Sequence, residues 1–324
     1  MMDEARLGAE VKMLNPAAWE IADRLAAHPV PKGVSVCTLD GGTRVIDCGV
    51  NAAGGLVTGV EFARACLGGL ADVEIVPWRL GDLPLLACRV VTDHPLASCI
   101  GSQYAGWKIE KGKFFAMGSG PARAAAAVEP LYQKYPIRVR AKQVVLLLEA
   151  SALPGAEVAA EVAQRCGVEP QDLMLLVAAT GSPVGSVQIA ARSVETALHK
   201  LMELGFDLHQ VRSGVGLCPI APVIGDALKA IGRTNDAVLY GSEVHLVVDA
   251  EDDQLADLAP RVPSSASRDY GKLFHDLFKQ YGDFYKIDPM LFSPASVSIA
   301  NTRSGRVFHA GKLSPDLLRK SFGC

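Results

Sequence analysis

Continuous apolar runs separated by glycine-rich loops dominate the pattern of hydrophobic and polar residues along this chain. The two clearest runs, at residues 144–148 and 173–179, have the length and uniform hydrophobicity of strands buried on both faces. Segments with apolar residues at helical spacing follow several of the glycine loops. This alternation of buried strands and helices predicts an α/β fold.

Near the N-terminus the pattern changes from helical to alternating. Apolar residues at helical spacing predict a helix over residues 15–28, with Asn15 and Pro16 at its start. Residues 34–39 and 43–47 predict two short strands, and the Asp40-Gly-Gly42 sequence between them predicts a hairpin turn. Alternation at residues 296–299 predicts a further strand close to the C-terminus.

A plan of strand, glycine loop, helix and strand occurs twice. The first copy runs from residue 43 to residue 76 and includes a helix near residues 56–67. The second copy runs from residue 172 to residue 211 and includes a helix over 187–204 and a strand over 206–211. Repetition of one supersecondary unit predicts two similar α/β halves.

The length of 324 residues is sufficient for two domains and a sizeable core. We expect the first α/β half mainly in residues 1–140 and the second mainly in residues 141–270, with a cleft between them. The pattern does not fix these boundaries, and it leaves open that the chain crosses between the halves. Residues 271–324 are expected to complete the fold.

Composition and charge exclude several classes of protein. A formal net charge of -3 without any basic stripe argues against a nucleic-acid partner. No apolar segment reaches the length of a membrane span, and the N-terminal sequence lacks the apolar run of a signal peptide. The eight cysteines contain no C-x-x-C pair and no metal-ligand spacing with histidine, which predicts reduced, mostly buried thiols in a cytoplasmic protein.

Residues 99–123 carry an aromatic and cationic cluster, Tyr104-Ala-Gly-Trp-Lys108, ahead of the glycine loop Gly118-Ser-Gly-Pro121. A glycine loop that precedes a helix can present backbone N–H groups to an anion, and the aromatic cluster could cover a flat heterocycle. The segment therefore indicates a pocket for a planar ligand with a negatively charged tail. The alternative interpretation is an ordinary loop beside a buried tryptophan.

Arg192 and Glu195 are one helical turn apart in the second copy, so they share a helix face and can form an ion pair. Gln188 and His199 extend the same polar stripe. The alternative interpretation is a solvated helix face, because surface ion pairs are common and weak. The chain contains no dinucleotide fingerprint, no P-loop and no H-E-x-x-H sequence, so neither a nucleotide nor a metal is predicted.

Four long segments together resemble the methenyltetrahydromethanopterin cyclohydrolase family. They are Ser98-Cys-Ile-Gly-Ser-Gln-Tyr-Ala-Gly-Trp-Lys108, Phe115-Ala-Met-Gly-Ser-Gly-Pro-Ala-Arg123, Ala191-Arg-Ser-Val-Glu195 and Phe284-Tyr-Lys-Ile-Asp-Pro-Met-Leu-Phe-Ser-Pro294. The last of them also predicts a rigid turn that brings Phe292 and Ser293 to a surface or a cleft.

The resemblance implies a cytoplasmic, homotrimeric two-domain α/β hydrolase that needs no metal and no redox cofactor. Its implied reaction is the reversible hydrolysis of cationic 5,10-methenyltetrahydromethanopterin to the 5-formyl derivative. Bacterial members carry out this step during formaldehyde oxidation in methylotrophic one-carbon metabolism. The implied partners are the pterin substrate and further copies of the chain, with no nucleic acid and no membrane.

The family's catalytic arginine and glutamate match Arg192 and Glu195. The residues expected to bind substrate lie in the aromatic cluster and in the two glycine loops, namely Tyr104, Trp107, Lys108, Gly118, Ser119, Gly120, Thr180, Gly181 and Ser182. A cationic amidine carbon is already electrophilic, so a positioned base that activates water is sufficient chemistry. Two alternatives remain, a non-catalytic pterin-binding or scaffold subunit and a hydrolase of another cyclic amidine.

Overall fold

The computed structural model describes residues 4–282 and 286–324, and within them the chain forms two compact units. Unit I comprises residues 4–72 and Ala97–Gln188, and unit II comprises Val73–Leu96 and Ile189–Cys324. Each unit contains one six-stranded mixed sheet with helices, which confirms the predicted α/β class. The units are not consecutive halves of the chain, whereas the sequence pattern predicted divisions near residues 140 and 270.

Sheet I, in unit I, contains six strands that are numbered in chain order together with those of unit II. They are β1 (Ser35–Thr38), β2 (Arg44–Gly49), β5 (Trp107–Lys111), β6 (Phe114–Ser119), β7 (Val144–Glu149) and β8 (Leu173–Ala178). Their order across the sheet is β1-β2-β8-β7-β6-β5. Strands β2, β8 and β7 are parallel, while the two flanking pairs are antiparallel hairpins.

Sheet II, in unit II, contains the other six strands. They are β3 (Asp72–Leu80), β4 (Leu83–Thr92), β9 (Val211–Pro219), β10 (Glu243–Val248), β11 (Ser296–Asn301) and β12 (Val307–Gly311). Their order is β12-β11-β10-β9-β4-β3, and only the β10–β11 pair among those with an assigned register is parallel.

The α-helices of the described residues are short except for the first. They are α1 (Glu4–Ala27), α2 (Pro29–Lys32), α3 (Leu56–Cys66), α4 (Ala122–Ala126), α5 (Leu131–Lys134), α6 (Ala156–Cys166), α7 (Pro183–Ala190), α8 (Ser193–Glu203), α9 (Ala227–Gly241), α10 (Asp252–Leu258), α11 (Phe274–Tyr281) and α12 (Pro315–Phe322). A π-helix spans Leu96–Gln103, and single 3₁₀ turns follow several of the helices.

The apolar runs of β7 and β8 form the centre of unit I. Their side chains point alternately to two cores, one shared with α6 and the other with α1 and α3. Burial on both faces explains why these strands read as uninterrupted hydrophobic runs. Helices α8 and α9 pack on β9 in unit II.

Helix α1 corrects the predicted start at Asn15. The helix begins at Glu4 and passes through Pro16, because Leu7, Val11 and Leu14 extend its buried face toward the N-terminus. Asn15 is 1% exposed; its Nδ2 donates to the carbonyl of Pro121 at 3.0 Å and its Oδ1 accepts from the Val145 N–H at 3.2 Å. Asn15 is therefore a buried link to the sheet and not a helix cap.

The second copy of the repeated plan also departs from its predicted elements. The helix predicted over 187–204 is two helices, α7 and α8, which are separated by a turn at Ala191 and Arg192. The strand predicted over 206–211 starts only at Val211, after a 3₁₀ turn at Leu208–Gln210. Both copies start in sheet I, at β2 and β8, and end in sheet II, at β3 and β9.

Candidate active site

One edge of sheet I brings together residues from five strands in register. Gly49 pairs with Ala178, Ala178 with Glu149, Glu149 with Met117 and Met117 with Lys108. This is the edge at which the parallel strands β2, β8 and β7 end. In open sheets of this kind, ligands bind beyond the carboxyl ends of the parallel strands.

The loop after β2 is organised by Asp47, which is 1% exposed. Its Oδ1 accepts the N–H groups of Gly49 and Val50 at 3.0 and 2.7 Å, and its Oδ2 accepts those of Asn51 and Ala52 at 2.9 and 3.0 Å. Sequence analysis missed this residue. An Asp directly before a Gly- and Asn-containing loop was the available signal, because such side chains bond to the following backbone.

The loop after β8 contains Thr180, Gly181 and Ser182. Ser182 Oγ donates to the carbonyl of Ala179 at 2.7 Å and accepts from the Gly185 N–H at 3.0 Å, so it holds the first turn of α7. Thr180 and Gly181 are partly exposed beside it. The predicted substrate-binding loop is thus ordered by its own hydrogen bonds, with Thr180 at the sheet edge.

Glu149, the last residue of β7, accepts hydrogen bonds from two neighbours at this edge. Thr180 Oγ1 donates to its Oε1, and Gln188 Nε2 donates to its Oε2 at 3.1 Å. Gln188 is 3% exposed, whereas Glu149 and Thr180 are partly exposed. The sequence signal was a charged residue that ends the apolar run of a buried strand.

The other glycine loop, Gly118–Pro121, is buried and is occupied by internal contacts. The Gly120 N–H donates to the carbonyl of Ser102 at 2.8 Å, and Ser119 Oγ lies 3.2 Å from Cys66 Sγ. Gly120 has a φ of +95°, and a Cβ there would overlap Leu147. The structure therefore gives this loop a packing role, and no open anion cradle forms at Gly118, Ser119 and Gly120.

The aromatic cluster divides into a buried and an accessible part. Trp107 is 8% exposed and belongs to the core on the α6 side of sheet I, in agreement with the alternative of a buried tryptophan. Lys108 is exposed at the sheet edge, where its Nζ lies 2.9 Å from Glu110 Oε1. Tyr104 is partly exposed, with the Arg123 guanidinium 5.2 Å from its ring centre.

The buried ion pair of Arg123 and Glu129 contacts the segment that precedes Tyr104. Arg123 is fully buried, and its Nη2 lies 2.6 Å from Glu129 Oε1. Arg123 Nη1 donates to the carbonyls of Ile100 and Ser102 at 3.2 and 2.9 Å, at the end of the π-helix. Tyr132 donates its hydroxyl to the Gly101 carbonyl at 3.0 Å, so three successive carbonyls are fixed from one side.

Arg192 and Glu195 form the second buried pair, in unit II. Arg192 Nη1 lies 3.8 Å from Glu195 Oε2, and their side chains are only 10% and 7% exposed. This burial contradicts the alternative of a solvated helix face. Arg192 lies in the turn between α7 and α8, and Glu195 lies in the first turn of α8, where the helix dipole favours a carboxylate.

Helix α8, which carries Glu195, is fixed by close packing and by a hydrogen bond. Ser193 and Val194 pack so closely on β9 that a Cβ at Gly216 would overlap both of them. At the other end of the helix, the buried Lys200 donates through Nζ to the carbonyl of Met290. The backbone that carries Glu195 is therefore fixed at both ends of the helix.

The last of the four resembling segments contacts α8 through Met290 and buries Ser293. Ser293 is fully buried and donates to the Val262 carbonyl, and Phe292 is partly buried with its ring 5.7 Å from that of Phe274. The prediction that this turn brings Ser293 to a surface or cleft is wrong, because the turn itself is a packing element. Phe284 and Tyr285 lie outside the described residues.

An open groove of about 620 Å³ lies elsewhere in unit I, along α6 and the end of β5. Its lining is largely charged and includes none of the predicted site residues; it consists of Lys111, Glu157, Ala160, Glu161, Gln164 and Arg165.

Residues 4–282 and 286–324 contain no group of three His, Cys, Asp or Glu side chains placed to hold a metal ion. None of the helices described is both long and apolar enough to cross a bilayer.

Residues 13–322 match the family model described as Cyclohydrolase (MCH), so the chain belongs to this cyclohydrolase family. Relatives named methenyltetrahydromethanopterin cyclohydrolase are similar over most of their length. That of Xanthobacter autotrophicus is 50% identical over 281 residues, which cover 86% of this chain and 83% of the relative. That of Methanothermobacter marburgensis is 45% identical over 317 residues, covering 96% and 99%. That of Methylobacterium organophilum is 43% identical over 315 residues, covering 95% and 97%. The family resemblance of the four sequence segments is confirmed.

Proposed function

We propose that this protein is a methenyltetrahydromethanopterin cyclohydrolase. In this reaction water adds to the bridging carbon of the cationic 5,10-methenyl substrate, and the bond from that carbon to N10 then breaks. The products are 5-formyltetrahydromethanopterin and one proton, and the reaction is reversible. The identity of 42% to 50% with relatives of that name supports the assignment.

The single observation that carries the mechanism is the buried pair Arg192 and Glu195 at the start of α8. A carboxylate can accept a proton from the attacking water, and its negative charge opposes the charge of the substrate cation. The 3.8 Å between Arg192 Nη1 and Glu195 Oε2 exceeds hydrogen-bonding distance, so the contact between the two groups is electrostatic. We assign Glu195 as the general base and Arg192 as the group that positions Glu195 and the water.

The direct test is the loss of the methenyl chromophore when the protein is mixed with 5,10-methenyltetrahydromethanopterin. We expect rapid decay with the wild-type protein and slow decay with Glu195→Gln. The corresponding tetrahydrofolate compound is the comparison substrate, since a general hydrolase of cyclic amidines would use both. Equal rates on the two substrates would refute the proposed specificity, and no decay on either would refute the enzymatic function.

The proposal includes catalysis without a metal or a redox cofactor. The substrate carbon is electrophilic by virtue of its own positive charge, so the residues named above supply the remaining chemistry. We expect turnover to be unchanged after treatment with a chelator and exhaustive dialysis. Activity that falls on dialysis and returns with a metal ion would contradict this part of the proposal.

We also infer a homotrimer in the cytoplasm that serves methylotrophic one-carbon metabolism through formaldehyde oxidation. The family resemblance is the support for these points. Sedimentation equilibrium of the purified protein tests the oligomeric state. A monomer at working concentrations would contradict the trimer.

A further inference from the structure

Glu149 is the only charged residue of β7 and ends a strand whose other five residues are fully buried. Strand β7 lies inside sheet I, between β8 and β6, so Glu149 is central along the sheet edge. Glu149 is partly exposed, and it stands at the end of the sheet where the parallel strands finish. A ligand that binds at this edge would meet Glu149.

The carboxylate of Glu149 is oriented by neutral donors. Thr180 and Gln188 each donate to a different oxygen, and in the described part of the chain no ion pair involves Glu149. Two neutral donors satisfy part of its acceptor capacity and leave its negative charge without a cationic partner among the described residues. A ligand with positive charge or several N–H donors can therefore interact favourably with it.

The chemistry of a pterin matches this arrangement. Its pyrimidinone edge presents the exocyclic 2-amino group beside the N3–H, which are two parallel donors like those of a guanidinium. Each carboxylate oxygen can accept more than one hydrogen bond, so both oxygens of Glu149 can accept from a ligand while retaining Thr180 and Gln188. Paired donors on a carboxylate give strong and directional binding.

We propose that Glu149 binds the 2-amino-4-oxopyrimidine edge of the pterin ring, with Thr180 and Gln188 holding its carboxylate in position. This inference rests on the proposed function, because the pterin is taken from it. Glu149 then contributes to substrate affinity and to the orientation of the ring, and takes no part in the chemistry at the bridging carbon.

The first experiment compares steady-state kinetics of the wild-type protein and Glu149→Gln. The glutamine preserves size and the bond from Thr180 but replaces one acceptor oxygen with an NH₂ group. We expect KM to rise about 10- to 100-fold, the loss of a charge-assisted pair, with a much smaller change in kcat. Glu161→Gln, an exposed carboxylate on α6, is the matched control and should leave KM unchanged.

The second experiment identifies the part of the ligand that Glu149 contacts. The probes are 6-methyltetrahydropterin and its 2-oxo counterpart, used as competitive inhibitors. We expect the wild-type protein to prefer the 2-amino compound by about tenfold, and the Glu149→Gln variant to lose that preference, because only the 2-amino compound offers the paired donors. If Glu149→Gln does not fold, Glu149→Asp keeps the charge but shortens the reach, and it should reduce the same preference.

The outcomes separate this inference from the proposed function. An active wild-type protein whose KM and inhibitor preference are unchanged in the Glu149 variant would overturn the inference and leave the function intact. Reduced thermal stability without a change in KM or inhibitor preference would assign Glu149 a structural role and also overturn it. A wild-type protein that neither converts the methenyl substrate nor binds either probe would overturn both.

Discussion

The two buried arginine–glutamate pairs of this molecule have the same chemical components and different geometries. In unit I, Arg123 contacts both oxygens of Glu129 at 2.6 to 3.2 Å and also donates to two backbone carbonyls. In unit II, the closest contact between Arg192 and Glu195 is 3.8 Å. The first pair uses its hydrogen-bonding capacity within the protein, whereas the second keeps its charged atoms beyond hydrogen-bonding distance of each other. Burial is therefore common to the pair that we propose to be catalytic and to the pair in unit I, and the two pairs differ in the distance between their charged groups.

The largest expected effect is on turnover, from Glu195→Gln. The glutamine keeps the shape of the side chain and cannot accept the proton, so kcat should fall by about 10²- to 10⁴-fold. The urea unfolding midpoint should change little, because the side chain remains and the contact with Arg192 is long. Retention of more than half of the wild-type turnover would assign the base to another residue.

Glu129→Gln should show the opposite combination. It leaves the Arg123 charge buried without its partner, which typically costs about 3–5 kcal/mol in the free energy of unfolding. Urea denaturation measures the loss, and Glu110→Gln, at an exposed ion pair with Lys108, is the control. A loss below about 1 kcal/mol would mean that the Arg123 pair is no more structural than a surface contact.

Asp236, on α9, is a further buried carboxylate, and it has no arginine partner in the described chain. Burial raises its pKa to about 7, although Ser321 and the Phe274 N–H donate to it at 2.6 and 2.9 Å. A folded pKa above the unfolded value of about 3.9 means that its contribution to stability is complete below pH 4. That contribution is lost as the pH rises through 7.

The change Asp236→Asn should therefore stabilise the protein at pH 8 relative to the wild type and have little effect at pH 4. The difference between the two pH values is at most about 4 kcal/mol, from three pKa units. Thermal unfolding of both proteins at each pH measures it, and all other titrating groups cancel in the comparison. The same stability difference at both pH values would show that Asp236 does not titrate in this range.

The smallest effect is expected at an exposed pair. Arg261 Nη1 lies 3.1 Å from Asp257 Oδ2, a shorter contact than that of Arg192 with Glu195, but the side chains are 52% and 76% exposed. Asp257→Asn should change the free energy of unfolding by about 0–1 kcal/mol. A larger loss would show that contact distance matters more than burial in this protein.

Sequence analysis located the strands that end at the candidate site, because β7 and β8 are buried on both faces and are therefore almost uniformly apolar. It also placed Arg192 and Glu195, through the family resemblance. It did not recognise that Gln188, Arg192 and Glu195 are buried, since a stripe of Gln, Arg, Glu and His is typical of a solvated helix face. Whether such a face is buried depends on tertiary packing, which the local sequence pattern does not show.

The loop at Gly118–Pro121 shows the opposite error, because a pattern that suggests a ligand site in the sequence has a packing role in the structure. The glycines at 118 and 120 suggest an anion-binding loop in the sequence. In the structure, position 120 needs a glycine because its φ is positive and because Leu147 leaves no room for a Cβ. Glu149, at the end of the neighbouring strand β7, is partly exposed and has no sequence motif of its own. Its contacts with Thr180 and Gln188 depend on the register of the strands, which the sequence does not display.

The way the chain moves between the two units affects how the protein is made. Strand β4 pairs with β9, although the whole of Ala97–Gln188 lies between them in the chain. During synthesis β4 leaves the ribosome long before β9 exists, and unit I is complete while the edge of β4 is still unpaired. Such long-range strand pairing slows folding, and an open strand edge promotes aggregation. The yield of folded protein in a cell should therefore depend on how quickly translation reaches β9, and chaperones that shield strand edges should act during that interval.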